Sequence, residues 1–102
     1  MAKHALFIKH RTRPGKRDEV EQVWRKHMMP AISTNPDHQA YVYSFGVDPD
    51  TICAFQQYSS AEAAAAFLKH PSYAAYLEEV TPLLAGEPDV QVLDVRWTKG
   101  AQ

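Results

Sequence analysis

The sequence contains one cysteine, no long apolar run and almost no net charge. A single cysteine excludes an internal disulfide, and Cys53 lies among apolar strand-like neighbours, so it is expected to be a buried, reduced thiol. Lys and Arg number 11 against 12 Asp and Glu, which offers no general attraction to nucleic acid or to an anionic membrane. No segment is long and apolar enough to span a bilayer, and the first residues lack the pattern of a signal peptide, so we expect a cytoplasmic protein.

Metal-binding spacing is also missing. The histidines, at positions 4, 10, 27, 38 and 70, form no i, i+2 or i, i+4 pair, and no Cys-x-x-Cys occurs. The sequence therefore predicts no metal site. At 102 residues the chain is expected to form one domain over residues 1–102.

Two runs rich in aromatic and β-branched residues, 39–47 and 51–58, flank the turn cluster Asp48-Pro49-Asp50 and predict an antiparallel hairpin. A three-residue loop at this cluster would place Tyr41 opposite Gln57 and Tyr43 opposite Phe55. One face of the hairpin then carries the bulky rings Tyr41, Tyr43, Phe45 and Phe55. The other face carries mostly small side chains, namely Ala40, Val42, Ser44, Ala54, Gln56 and Tyr58.

The whole chain reads as β-α-β-β-α-β. Residues 4–11 predict the first strand and residues 90–97 the last, and the first helix should kink or restart at Pro30. A capping box from Ser59 to Glu62 predicts the start of the second helix, which His70-Pro71 interrupts. This order predicts a ferredoxin-like α+β fold, a four-stranded antiparallel sheet with the helices on one face and the first and last strands in the middle. The opposite face would stay bare, so we expect a homodimer that buries the face with Tyr41, Tyr43, Phe45 and Phe55.

Three segments carry a family resemblance: residues 13–17, the entry to the second helix at 58–63, and the break at 67–73. Together with the hairpin they resemble the antibiotic biosynthesis monooxygenase family of dimeric α/β barrels. The resemblance implies a pocket between helices and sheet in each protomer. Some members oxidise quinols or aromatic polyketides with dioxygen and no cofactor, and others degrade haem.

The functional positions of that family differ here. Ala54 and Tyr58 stand where polyketide-oxidising members have Asn and Trp, and Gln56 and Phe67 stand where quinol-type members have Glu and His. Haem-degrading members use Asn, Trp and His at positions that align with Ile8, Tyr58 and Leu77. The resemblance also implies that the small face looks toward the helices. On that basis a small aromatic molecule would be bound by Trp24, Val42, Ser44, Ala54, Gln56, Phe67, His70 and Tyr73.

Three residues are candidates for catalysis. His10 shares a strand face with Leu6 and Ile8 and would titrate near neutral pH, although a strand-end histidine that touches solvent has the same pattern. His27 lies on the Trp24 stripe and is the second candidate base, with a carbonyl-capped helix histidine as the alternative. Tyr58 could donate a hydrogen bond to a substrate oxygen or simply pack at a strand end.

Two functions remain open at this point. Triplet dioxygen reacts slowly with closed-shell molecules, so a protein without cofactor needs an electron-rich substrate, a base and a dry cavity. The first function is therefore a cofactor-independent monooxygenase acting on a quinol or polycyclic phenol. The alternative is a non-catalytic dimeric α/β barrel that binds a small molecule or serves a structural role.

Overall fold

The structure is a computed structural model that describes residues 3–99, so the ends of the predicted 1–102 domain lie outside the described part. Four strands form one sheet: β1 (His4–Arg11), β2 (His38–Phe45), β3 (Thr51–Tyr58) and β4 (Asp89–Asp94). Three helices accompany it: α1 (Arg17–Ser33), α2 (Ala61–Phe67) and α3 (Pro71–Val80), the last followed by a single 3₁₀ turn, Thr81–Leu83.

The sheet is antiparallel with the strand order β2-β3-β1-β4. This confirms the ferredoxin-like α+β fold. The predicted placement of the first and last strands in the middle is wrong, because β4 lies at an edge and pairs only with β1. Since β3 already occupies one side of β1, the chain that leaves α3 can add its last strand only on the other side.

The helices cover one face of the sheet and form the core with it. Val20, Trp24 and Met28 project from α1, and Tyr76 and Val80 project from α3. Their partners on the sheet and on α2 include Ile52, Tyr58, Ala64 and Phe67. Burying an aliphatic or aromatic side chain of this size contributes about 1.5–3 kcal/mol, so this layer dominates the stability of the domain.

Two local predictions about the helices need correction. Helix α1 is continuous through Pro30, because this proline lies in the last turn and its own carbonyl still accepts from the backbone N–H of Thr34 at 3.2 Å. The N-cap of α2 is Ser60, whose Oγ accepts from the N–H of Ala63, while Ser59 Oγ donates to Asp37 Oδ1. The N-cap therefore lies one residue later than predicted, and because Ala63 stands at the N3 position, the reciprocal half of the predicted capping box does not form.

The predicted register of the hairpin differs from the observed one by one residue and is wrong. The N–H of Gly46 donates to the carbonyl of Thr51, so the loop has four residues, 47–50. The opposed pairs are Phe45 with Ile52, Tyr43 with Ala54 and Tyr41 with Gln56. A shift of one residue turns every side chain of a strand to the other face.

The register follows from contacts that the hairpin makes with α1. Arg17 Nη1 donates to the carbonyl oxygens of Gly46 and Asp48 at 3.0 Å and of Thr51 at 3.3 Å. The same guanidinium lies 4.0 Å above the ring of Phe45. Helix α1 therefore fixes the loop and holds Phe45 on the helix side of the sheet.

Tyr41, Tyr43 and Phe45 thus face the helices of their own chain, and the prediction that they line the bare face is wrong. Phe55 does lie on the bare face, and the register brings Val42 and Ser44 there as well. Within residues 3–99 no helix packs on this face of the sheet, and the Val42 side chain on it is 54% exposed. Within residues 3–99 no helix is long and apolar enough to cross a membrane.

Candidate functional site

A cavity of about 480 Å³ lies between the helices and the sheet. Its wall is mostly apolar and includes the rings of Trp24, Tyr41, Tyr43, Tyr58, Phe67, Tyr73 and Tyr76. Aliphatic side chains of β1 and the helices, including Leu6, Ile8, Met28 and Val80, complete it. Apolar concavities of this size with a few polar groups are how proteins usually bind small molecules.

The hollow exists because the centre of the floor is small. Ala54 on β3 lies between Ile8 on β1 and Tyr43 on β2 and is only 2% exposed. Its methyl group leaves unfilled the space that a larger side chain would occupy. The segment after α3, including Leu84 and Glu87, and the side chain of Arg13 line another part of the cavity. Arg13 is held there by a 2.8 Å hydrogen bond from its Nε to the carbonyl of Pro82.

Most of the residues that the sequence predicts for the site lie around this one cavity: His10, Trp24, Ala54, Gln56, Tyr58, Phe67 and Tyr73. Four predicted residues lie elsewhere. Val42 and Ser44 are on the bare face because of the register described above. His70 is the N-cap of α3, with its Nδ1 accepting from the N–H of Ser72, and it is exposed.

His27 is the fourth residue that lies outside the cavity. Its Nε2 is 2.6 Å from Glu79 Oε1 on α3, and Lys26 Nζ is 2.9 Å from the same oxygen. These hydrogen bonds, that of His27 first, hold the pKa of Glu79 below its usual value. The second candidate base therefore belongs to a contact between two helices.

His10 is the histidine of the cavity wall. Its Nδ1 is enclosed and has no hydrogen-bond partner among residues 3–99. Burial lowers the pKa of His10, because an imidazolium loses its hydration there. The ring is consequently neutral at pH 7 and able to accept a proton.

Tyr58 and Gln56 form a buried pair on β3. The hydroxyl of Tyr58 donates to Gln56 Oε1 at 2.6 Å. The Tyr58 ring packs against His38 at 4.4 Å and Phe67 at 6.5 Å between centroids. Burial raises the pKa of Tyr58, so the phenol stays protonated and its proton remains in the bond to Gln56.

Trp24 organises the opposite wall. Its ring stacks on Tyr43 with centroids 4.2 Å apart, and its Nε1 donates to the hydroxyl of Tyr41 at 3.3 Å. Burial raises the pKa of Tyr41 to about 12, and the hydrogen bond from Trp24, which by itself would lower this pKa, has a smaller effect. The hydroxyl of Tyr43 is enclosed without a partner in the described part of the chain.

Three lining tyrosines were not predicted as site residues from the sequence. Tyr76 has no predicted role, and the predicted register puts Tyr41 and Tyr43 on the bare face instead. The neighbouring sequence carries no signal that fixes their face, because the register depends on the contact between Arg17 and the hairpin loop. Gly46 fits this register, since a side chain there would collide with that of Thr51.

The position that supplies the haem ligand in some members of the resembled family carries an apolar residue here. Leu77, which aligns with their histidine ligand, lines the cavity and cannot coordinate iron. In the part of the chain from residue 3 to residue 99, no group of three His, Cys, Asp or Glu side chains is arranged to hold a metal ion.

These features define a ferredoxin-like α+β domain with an apolar cavity between its sheet and its helices. The profile of one family in this class, described as antibiotic biosynthesis monooxygenase, matches residues 4–79. The chain belongs to the antibiotic biosynthesis monooxygenase family. No curated protein matches the sequence.

Solved structures share the fold at low sequence identity. A candidate antibiotic biosynthesis monooxygenase from Nitrosomonas europaea superposes with a TM-score of 0.87 at 13% identity, covering 96% of this chain and 94% of that one. A protein of unknown function from the same organism has a TM-score of 0.82 at 20% identity, covering 100% and 97%. A candidate monooxygenase of the same family from Chloroflexus aurantiacus has a TM-score of 0.75 at 27% identity, covering 96% and 99%.

Proposed function

We propose that this protein is a cofactor-independent monooxygenase that oxidises a quinol or polycyclic phenol with dioxygen. The observation that carries the proposal is a neutral histidine, His10, in the wall of an aromatic cavity. Family membership supports the reaction class, and the size and lining of the cavity support a flat aromatic substrate.

The chemistry needs a substrate that can itself reduce dioxygen. His10 would accept the proton of a phenol hydroxyl, and the resulting phenolate would give one electron to dioxygen. The phenoxyl radical and superoxide then combine at a ring carbon that carries hydrogen, para to the oxygen in a phenol or ortho to it in a quinol. Loss of this hydrogen as a proton and cleavage of the O–O bond yield a quinone, and the departing hydroxide takes up a proton as water. One molecule of phenol and one of dioxygen thus give one quinone and one water.

The apolar wall supports this sequence in two ways. Its apolar side chains offer few hydrogen bonds to water, which would otherwise solvate the phenolate and lower its reducing power. It also keeps the imidazole of His10 neutral, which is the form that accepts a proton.

The alternative function is binding without catalysis. It is favoured by Gln56, because an amide in a buried position of the wall does not titrate near neutral pH, so it cannot act as a general acid or base and contributes only hydrogen bonds. In this case the cavity would hold its ligand unchanged.

Oxygen consumption on a panel of hydroquinones and hydroxylated naphthalenes tests the proposal. We expect consumption above the uncatalysed rate, and a decrease of about 10²-fold or more in His10→Ala. The matched control is His27→Ala, which removes a histidine outside the cavity and should leave the rate unchanged. No consumption by the wild type, or equal rates in wild type and His10→Ala, would favour binding without catalysis.

We also propose that a second copy of the chain covers the bare sheet face, giving a homodimer. Support comes from the apolar side chains of this face, which include Phe7, Val42, Phe55 and Leu93. Light scattering should show a dimer that Val42→Lys weakens. Val47→Lys is the control, because Val47 is fully exposed at the hairpin tip, with a relative exposure of 106%. A monomeric wild type, or equal effects of both variants, would refute this interface.

A further inference from the structure

Two hydrogen-bond donors lie side by side on the floor of the cavity. Gln56 on β3 and Tyr41 on β2 are directly opposed in the antiparallel ladder, and both line the cavity. Opposed residues have their Cβ atoms about 4.5–5.5 Å apart on one face of a sheet. Polar groups of these two side chains can therefore reach one ligand atom together.

The environment of Gln56 determines which end of its amide is available. Gln56 is only 6% exposed, and its Oε1 accepts the 2.6 Å hydrogen bond from Tyr58. This distance is typical of O–H···O bonds and shorter than usual N–H···O bonds, which supports the oxygen as the atom that faces Tyr58. The amide oxygen is thus engaged, and within residues 3–99 no acceptor binds the NH₂ group, which remains a donor.

The environment of Tyr41 leads to the same result. The indole N–H of Trp24 can only donate, so the Tyr41 oxygen must be the acceptor in their 3.3 Å contact. The hydroxyl hydrogen of Tyr41 then points to some other group. Because burial raises the pKa of this phenol to about 12, the hydrogen is present throughout the physiological range.

We propose that Tyr41 and Gln56 together bind an oxygen atom of the ligand, which must therefore offer an acceptor there: a carbonyl, or the oxygen of a phenolate. Trp24 and Tyr58 act as positioning residues. Trp24 donates to the Tyr41 oxygen and leaves the Tyr41 hydroxyl hydrogen for the ligand. Tyr58 donates to Gln56 Oε1 and leaves the Gln56 NH₂ group for the ligand. The inference rests on the proposed function only in using the same cavity as the ligand site. In a monooxygenase the pair would hold the phenolate oxygen that forms when His10 takes the proton.

The test compares two probes of similar size that differ in the hydrogen bond they offer. 1-Tetralone presents a carbonyl acceptor and no acidic hydrogen, whereas 1-naphthol presents an O–H donor. Binding is followed by the fluorescence of Trp24 in a Trp97→Phe background, because Trp97 is 81% exposed and would add an unrelated signal. The titrations are performed without oxygen, so their outcome does not depend on turnover.

In Gln56→Glu the carboxylate can still accept from Tyr58 but cannot donate. We expect the affinity for 1-tetralone to fall about tenfold or more, with a much smaller loss for 1-naphthol, so that the ratio of the two affinities changes. Gln56→Met, which removes the donor without adding charge, should lower 1-tetralone affinity in the same direction. Tyr41→Phe removes the second donor, and Tyr58→Phe should change the same ratio by a smaller factor.

Gln57→Glu is the matched control. Gln57 neighbours Gln56 on β3 but points to the bare face, where its Nε2 donates to Gln39 Oε1 at 2.8 Å. The ratio of affinities should not move in this variant. An unchanged ratio in Gln56→Glu, together with unchanged 1-tetralone affinity in Gln56→Met and Tyr41→Phe, would overturn the donor pair. Preserved binding behaviour in a protein that consumes no oxygen would overturn the monooxygenase proposal and leave the donor pair intact.

Discussion

Tyr58 and Tyr43 both line the cavity, but their hydroxyl groups have different surroundings. The hydroxyl of Tyr58 donates to buried Gln56 at 2.6 Å, whereas that of Tyr43 is enclosed and unpaired among the described residues. Replacing each tyrosine by phenylalanine removes a hydroxyl group, which is hydrogen-bonded at Tyr58 and unpaired at Tyr43. The pair of variants therefore measures what a partner contributes to a buried hydroxyl.

The expected effects have opposite signs. Tyr58→Phe leaves the Gln56 oxygen buried without a donor, which costs about 1–3 kcal/mol of unfolding free energy. Tyr43→Phe removes a hydroxyl that lost its hydration on folding and gained no bond, so the variant should be neutral or up to about 1–2 kcal/mol more stable. For a domain of this size, each 1 kcal/mol corresponds to a shift of about 4–8 °C in the melting temperature.

Urea denaturation followed by far-UV circular dichroism at pH 7 gives both values, with thermal melting as a second measurement. Equal slopes against urea concentration in the two variants and the wild type are the control, because they show that the compactness of neither state changed. A destabilisation by Tyr43→Phe as large as that by Tyr58→Phe would refute the assignment of an unpaired hydroxyl at Tyr43.

Three further predictions concern stability. Burial lowers the pKa of His10 in the folded chain, so the unfolded chain binds this proton first as the pH falls. The unfolding free energy should therefore be flat above about pH 6.5 and decrease below it, and His10→Gln should reduce the slope by up to about 1.4 kcal/mol per pH unit in urea titrations; a slope unchanged by the variant would contradict this. Arg17→Met should destabilise the domain by about 1–3 kcal/mol through the unpaired loop carbonyls, whereas Lys16→Met, which loses only an exposed ion pair with Glu19, should cost well under 1 kcal/mol; similar losses in chemical denaturation would refute the role of Arg17. Gly46→Ala should lower the melting temperature, because the added methyl group meets the Thr51 side chain; an unchanged melting temperature would show that the hairpin accommodates it.

The element order and the helix layer follow from local sequence, whereas the side of the sheet that faces the helices, and with it most of the predicted cavity residues, follows from the family resemblance. Periodicity and turn chemistry act over a few residues, and they placed β1, α1 and the break before α3 correctly. The orientation of β3 was also correct, so Ala54, Gln56 and Tyr58 were expected on the helix side, and the structure places them there.

Contacts between distant residues account for the errors. The loop of the hairpin looks like a three-residue turn locally, and Arg17, about 30 positions earlier in the chain, holds it in a four-residue form. His27 lies on an apolar stripe of α1, yet its ring nitrogen forms a hydrogen bond with Glu79 on α3. Neither interaction has a signal in the neighbouring sequence.

The register links the interface and the cavity. With Tyr41, Tyr43 and Phe45 turned inward, the bare face loses three large rings and presents Val42 and Ser44, so a covering subunit would meet a flatter and less aromatic surface. The cavity gains the rings of Tyr41 and Tyr43 and, with Tyr41, a hydroxyl that lies next to Gln56. Had the loop contained three residues, Val42 would lie opposite Gln56 on the floor, and Gln56 would have no hydrogen-bond donor directly across the ladder. The hydrogen-bonding character of the site therefore depends on the length of a loop at the far end of the hairpin.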